Sequence, residues 1–313
     1  MKSNPMTFKV FIGLILAAVI GIVTSCVPNP ENVIVIGSKM DTEGAILGYI
    51  QLLALENAGL KVEDRIETGP TLIVRRALLY GEIDGYIEYT GTALVNFMGI
   101  TDPGILSNAD RAYHTVRTRD AKTHGIIWLS PWSGINNTYT VMMQRKQAQA
   151  LHLHSISDLA VYIQHGNAVL FGSDPEFAAR QDGLIGLQRA YGIYGLPSFQ
   201  VRQLDAGLVY QTLQQGSIDA AIGYSTDGRI AAFDLIRLED DRHFFPVYNP
   251  TPTYRQSTLK RYPQIATILN RIAAKITAED ITEMNYRHDV ELVRPRFLAR
   301  EWLQKNGFLT KKK

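Results

Sequence analysis

Residues 33–36 form an unbroken β-branched apolar run, the pattern of a strand buried on both faces, and the chain turns out of it through Gly37-Ser38-Lys39. Residues 43–58 then place apolar side chains at Ile46, Tyr49, Ile50, Leu53 and Ala54. That is the stripe of an amphipathic helix, with Asp41 or Thr42 to cap it and Gly59 to end it. Val62 opens a second strand, and the turn Gly69-Pro70-Thr71 starts a second helix that runs to Tyr80. Alternation of this kind predicts an α/β fold, a mainly parallel sheet flanked by helices. Further apolar strands are expected at 126–129, 140–143, 168–171 and 201–204. Helices are expected over 108–122 and 157–164, around Phe177, Leu184, Leu187 and Tyr191, and over 265–276 and 278–292. Residues 244–250 should be extended, because Pro246 and Pro250 disfavour helix before them.

One stretch occurs twice. GEIDGYIEYTGT at 81–92 and GSIDAAIGYSTDG at 216–228 agree at Gly81/Gly216, Ile83/Ile218, Asp84/Asp219, Ile87/Ile222 and Tyr89/Tyr224. Each copy follows an apolar helix-like segment, 72–80 or 208–213, and begins with the glycine that ends a helix in the left-handed conformation. A short apolar strand then delivers a tyrosine beyond its carboxyl end, where open α/β sheets place their ligand crevice. Two copies imply two similar lobes, each offering one tyrosine to a shared cleft. Residues 91–98 are expected to restart a helix directly after the first tyrosine, with backbone N–H groups that attract anions at its start.

The 313 residues suffice for two domains of ordinary size, and 46% hydrophobic with 20% charged residues describes a folded globular chain. Residues 1–25 are expected to be an export signal: Lys2 and Lys9 supply its positive region, and 10–23 is an apolar run too short to span a bilayer, which takes about 20 residues. Val23-Thr24-Ser25-Cys26 resembles the bacterial lipoprotein cleavage box, which would make Cys26 the lipidated first residue and 26–32 its tether. Loss of Lys2 and Lys9 would cancel the formal net charge of +2, which leaves no case for a nucleic-acid partner. Cys26 is the sole cysteine, so no internal disulfide can form. No nucleotide loop, zinc spacing or esterase elbow is present. His152 and His154 lack an evident third ligand, Asp240-Asp241 fits a solvated turn, and Lys311–Lys313 a solvated end.

Taken in order, Gly37-Ser38-Lys39, GEIDGYIEYTGT, Asn136-Asn137-Thr138-Tyr139, Pro175-Glu176-Phe177 with Arg180 and Asp182-Gly183, Tyr224-Ser225-Thr226-Asp227-Gly228 and Pro246-Val247-Tyr248-Asn249-Pro250 resemble the substrate-binding proteins of osmoprotectant ABC transporters. These bind glycine betaine, choline, carnitine or related quaternary ammonium compounds. The resemblance covers residue 33 to the C-terminus and implies a type II periplasmic-binding-protein clamshell. Its first lobe would be 33–136 plus 240–313, and its second 137–239. It also implies an aromatic cage of Tyr89, Tyr139, Tyr224 and Tyr248, with Arg180 as the best candidate for a ligand carboxylate and Thr92 and Asn137 as further polar contacts. Trp132 sits either beside that cage or in packing. Relatives often have proline where this chain has Ile87, two residues before the first tyrosine.

Aromatic faces suit such a ligand because a trimethylammonium group has no N–H to donate, and each ring offers about 0.5–2 kcal/mol of cation–π attraction. The expected function is capture of a quaternary ammonium osmolyte, glycine betaine first, by an exported, lipid-anchored monomer. The protein would deliver it to an ABC permease, without a cofactor, a metal or enzymatic turnover. Three alternatives stand beside it: another small cationic or zwitterionic cargo such as an amino acid or polyamine, an exported enzyme acting on choline-like substrates, and a sensory or structural lipoprotein.

Overall fold

The computed structural model describes residues 32–180 and 182–309. The expected export signal, Cys26 and Lys311–Lys313 lie outside the described residues. The chain first lays down strands β1 (Ile34–Lys39), β2 (Val62–Gly69), β3 (Gly85–Tyr89) and β4 (Ile126–Trp128). It continues through β5 (Tyr139–Gln144), β6 (Val169–Ser173), β7 (Phe199–Gln203), β8 (Ala220–Tyr224) and β9 (Leu235–Arg237), and returns with β10 (Pro250–Arg255). Two five-stranded sheets result, ordered β2-β1-β3-β10-β4 and β7-β6-β8-β5-β9. In each, one strand runs against the other four: β10 is antiparallel to β3 and β4, and β5 is antiparallel to β8 and β9. The sheets therefore share one topology, with β3 and β8, the two copies of the sequence repeat, in the same central position.

The repeat's conserved aspartate explains why both copies carry it. Val35 N–H donates to Asp84 Oδ2 at 2.9 Å, and Leu170 N–H donates to Asp219 Oδ2 at 2.8 Å; donor and acceptor are 49 residues apart in both cases. Each aspartate thus ties the start of its strand to the neighbouring parallel strand, β1 or β6. The preceding glycines sit in the left-handed region, Gly81 at φ 80° and Gly216 at φ 70°, and end their helices there.

Of the elements that depart from the sequence reading, two concern the core. The helix Thr42–Asn57 is capped by Asp41, whose side chain accepts from Gly44 N–H, but it is buried on nearly every side rather than along one stripe. The C-terminal helices cover its outer face, and Ile265, Leu269, Leu298 and Trp302 belong to the same core as Ile46, Leu47 and Ile50. Trp132 is in that core too, so its part is packing. The second departure is β10, a central strand that contains Pro250 and Pro252. Prolines lack the ladder N–H and normally keep to edges. Here their carbonyls accept from Trp132 and Leu129 N–H at 2.9 Å, on the side where β4 has already ended at Trp128, so their missing donors break no strand ladder. Among the described residues no helix is long and apolar enough to cross a membrane.

Candidate functional site

Two segments cross between the sheets, one between β4 and β5 and one between β9 and β10, and they are bonded side by side. Tyr248 N–H donates to Asn136 Oδ1 (2.8 Å), Asn137 N–H to the Tyr248 carbonyl (3.1 Å) and Thr138 Oγ1 to the Pro246 carbonyl (3.0 Å). Asn249 Nδ2 donates to the Ile135 carbonyl (2.7 Å). Of these motifs, Asn136, Thr138 and Asn249 spend their side chains on this pairing.

Tyr139 begins β5 directly after one crossing, and Tyr248 lies on the other. Their rings meet edge to face, with centroids 5.7 Å apart and planes at 87°. Tyr224, at the end of β8, pairs with Tyr139 across the ladder, and its ring lies 5.2 Å away. Phe177 (4.8 Å) and Phe245 (6.1 Å) complete the surround of Tyr139. Tyr89, at the end of β3, falls in the same buried cluster as Tyr139 and Tyr248. Gly91, two residues beyond it, gives Tyr248 room, because a Cβ there would lie 2.7 Å from that ring. Desolvation pushes the phenol pKa of all four tyrosines up, so the rings stay neutral and present their faces uncharged.

The polar candidates are placed differently. Arg180 is buried and grips Asp182 with two bonds, Nε to Oδ1 at 2.8 Å and Nη2 to Oδ2 at 2.6 Å; Nη2 also donates to Tyr248 Oη at 3.1 Å. Its guanidinium lies over the rings of Tyr139 and Tyr248 at 5.5 and 5.6 Å. Asn137 Oδ1 is buried and without a hydrogen-bond partner. Thr92 is buried at the end of the short helix Thr90–Thr92, which passes into a π-helical turn, Ala93–Phe97, rather than the regular helix expected.

Sequence reasoning missed Glu43. It is 3% exposed, and its carboxylate accepts from Tyr89 Oη (2.7 Å), Thr226 Oγ1 (2.6 Å) and Asn285 Nδ2 (3.2 Å). Thr226 follows β8 of the second sheet, whereas Glu43 follows β1 of the first, so this bond joins the two halves. Thr71 Oγ1 to Glu176 Oε1 (2.9 Å) and Arg229 Nη2 to Asp289 Oδ2 (3.3 Å) join them again. The sequence carried no signal for it, since Glu43 reads there as an ordinary first-turn acid. The YSTDG motif is consumed at this junction. Ser225 Oγ donates to the Asn136 carbonyl (3.0 Å), Thr226 reaches Glu43, Asp227 holds Arg229, and Gly228 lies against Tyr286, where a Cβ would stand 2.3 Å from Tyr286 Cβ. No cluster of metal-binding side chains occurs among the described residues.

Comparison with known proteins gives a family model described as the substrate binding domain of ABC-type glycine betaine transport systems (OpuAC), which matches residues 32–305. The chain is 34% identical over 278 residues to the glycine betaine-binding protein YehZ of Escherichia coli K12, covering 87% of this chain and 90% of that one. It is 35% identical over 280 residues to a glycine-betaine-binding protein of Pseudomonas aeruginosa, covering 88% of each. A crystal structure titled glycine betaine/carnitine/choline ABC transporter superposes with a TM-score of 0.73 at 29% identity, over 88% of this chain and 99% of that one.

Proposed function

The chain belongs to the OpuAC family of substrate-binding domains of ABC-type glycine betaine transport systems, and on that premise we propose that it captures a small quaternary ammonium solute outside the cytoplasm and delivers it to an ABC permease. The observation that carries this reading is the cluster in which the Tyr224 and Tyr248 rings lie 5.2 and 5.7 Å from that of Tyr139, with Tyr89 in the same buried group. Tyr89 and Tyr224 come from equivalent strand ends of the two sheets, so a cation among these rings is enclosed by both halves. Contacts made only when the halves meet favour the closed form, since a ligand shifts such an equilibrium only by its differential affinity. The lobes are 33–136 plus 240–313 and 137–239, hinged at the paired crossings.

Capture asks for no bond-making, and members of the family are transport binding proteins; we take this chain to lack catalytic turnover. We also take Cys26 as a lipid anchor, which mass spectrometry of the mature N-terminus would test. The cage is tested by calorimetric titration with choline, glycine betaine and tetramethylammonium. Tyr139→Ala and Tyr224→Ala should each weaken whichever ligand binds by at least tenfold; unchanged affinity in both removes the cage.

A further inference from the structure

The two halves of the repeat differ on one surface that solute capture leaves unused. Helix Thr71–Tyr80 precedes the first copy and helix Ala206–Gln214 the second, and in the repeat's register both bury the same pair, Val74/Val209 and Leu78/Leu213. Their outer faces are unlike. In the first half Leu72, Ile73, Leu79 and Tyr80 are 39–78% exposed, with Arg76 the one charge among them. In the second, Gln211, Gln214 and Gln215 stand exposed where Arg76, Leu79 and Tyr80 do, and of the apolar four only Ile73 keeps a large apolar counterpart, Leu208. Glutamines suffice for a solvated helix face. Four large apolar side chains on its counterpart mark a surface that something covers.

The neighbouring helix is basic. Helix Ala109–His124 shares a core with the first, through Ala112 and Val116 beside Val74 and Leu78, and Arg75 Nη1 donates to Asp120 Oδ2 at 2.9 Å. Arg111, Arg117, Arg119 and Lys122 are exposed on it, against one exposed acid, Asp110. Asp120 is taken by Arg75 and His124, and none of the four cations has an ion-pair partner among the described residues. The modest net charge of +2 thus conceals a basic field next to an apolar one. An anionic bilayer surface matches that pair: apolar side chains enter its headgroup boundary, and arginines and lysines meet its phosphates. The path of the chain points the same way. It enters the sheet at β1, where Val35 exchanges bonds with Asp84, four residues past Tyr80, so β1 begins at the end of the sheet where Tyr80 lies. The expected tether 26–32, fully extended, spans at most about 25 Å. A lipid on Cys26 would keep that end of the helix within reach of a bilayer.

We propose that the face built by helices Thr71–Tyr80 and Ala109–His124 docks on an anionic phospholipid bilayer. Leu72, Ile73, Leu79 and Tyr80 enter the headgroup boundary, and the arginines and Lys122 lie over its phosphates. This contact is independent of the tyrosine cage and adds a second hold on the membrane to the lipid anchor.

Tryptophan emission tests it. The native Trp128, Trp132 and Trp302 are buried, so a reporter introduced by Tyr80→Trp, or by Gln215→Trp at the equivalent place in the second half, reads its own surroundings. The full chain is reconstituted into vesicles of phosphatidylcholine with brominated acyl chains, with and without phosphatidylglycerol. In the phosphatidylglycerol vesicles Tyr80→Trp should shift to the blue and lose at least half of its added emission. The effect should shrink without phosphatidylglycerol or at high salt, and Gln215→Trp should show neither change. Arg117→Glu with Arg119→Glu should remove most of the quenching while urea unfolding stays unchanged; the comparison of lipids stands even if that variant does not fold. Equal quenching of both reporters overturns the proposal, as does quenching of Tyr80→Trp that ignores phosphatidylglycerol. Shielding of Tyr80→Trp only when native membranes replace the lipid vesicles also overturns it, and assigns the face to a protein instead.

Discussion

Thr226→Val replaces a 3%-exposed hydroxyl with a methyl of the same shape and removes the 2.6 Å donor that links the second half to Glu43 in the first. When the halves are parted, water satisfies both groups, so the substitution leaves the open form unaffected. In the closed form a hydrogen bond to a charged acceptor is lost, worth about 1.5–3 kcal/mol. At about 1.4 kcal/mol per decade, the closing equilibrium falls by roughly ten- to a hundredfold. Ligand affinity falls by the same factor when the empty protein is mostly open, because the competent fraction sets the apparent constant. Calorimetric titration with choline reads the affinity, and small-angle scattering reads the radius of the ligand-free protein. Thr226→Ser, which keeps the donor, should behave like wild type. If Thr226→Val retains wild-type affinity and an unchanged radius, the Thr226–Glu43 bond is not a closing contact.

The remaining expectations concern other parts of the same design. Gly228→Ala places a methyl 2.3 Å from Tyr286 Cβ and should hold the halves apart, weakening binding by at least tenfold while urea unfolding of the ligand-free protein changes little; undiminished affinity would contradict it. Asp84→Ala removes the partner of Val35 N–H, Thr258 and Arg255 and should cost about 3 kcal/mol, whereas Asp219→Ala, with Leu170 N–H and a 3.3 Å contact from Gln147, should cost about 1–2 kcal/mol; equal urea-melt losses would refute the ranking. The raised Glu43 carboxyl means that the folded, ligand-free chain holds a proton the unfolded chain releases above the ordinary glutamate value of 4.5. Stability at this group is therefore full below 4.5 and declines as pH rises toward the folded value, and Glu43→Gln should flatten that slope in a thermal-unfolding series.

The repeat was the most legible feature of the sequence, because Gly81/Gly216 and Asp84/Asp219 do the same local work in both halves and short-range geometry fixes them. The tyrosines could be nominated because each lies at a strand end or beside an asparagine-rich crossing. What stayed hidden depends on long-range packing. The stripe on the helix Thr42–Asn57 predicts an exposed face, and only the distant C-terminal helices bury it. β10 was concealed because Pro250 and Pro252 argue against a central strand, and only the early end of β4 makes them harmless. Glu43 is an ordinary first-turn acid until Thr226 and Asn285, from distant segments, close around it.

With the halves hinged at the paired crossings, as proposed above, two of the aromatic rings sit on the axle of the clamshell. Tyr248 is bonded to Asn136 and Asn137, and Tyr139 follows them by two residues, so a swing about these crossings carries both rings through a small arc, whereas Thr71 and Glu176, which also join the halves, bond to neither crossing. Recognition then divides into two stages. On the proposed cage, part of the aromatic seat stands ready at the pivot to receive a solute, and polar contacts away from it, such as Thr71 to Glu176, decide how long the jaws stay shut. Substitutions near the axle should accordingly alter which solutes are accepted, and substitutions at the jaw tips should alter how slowly they leave.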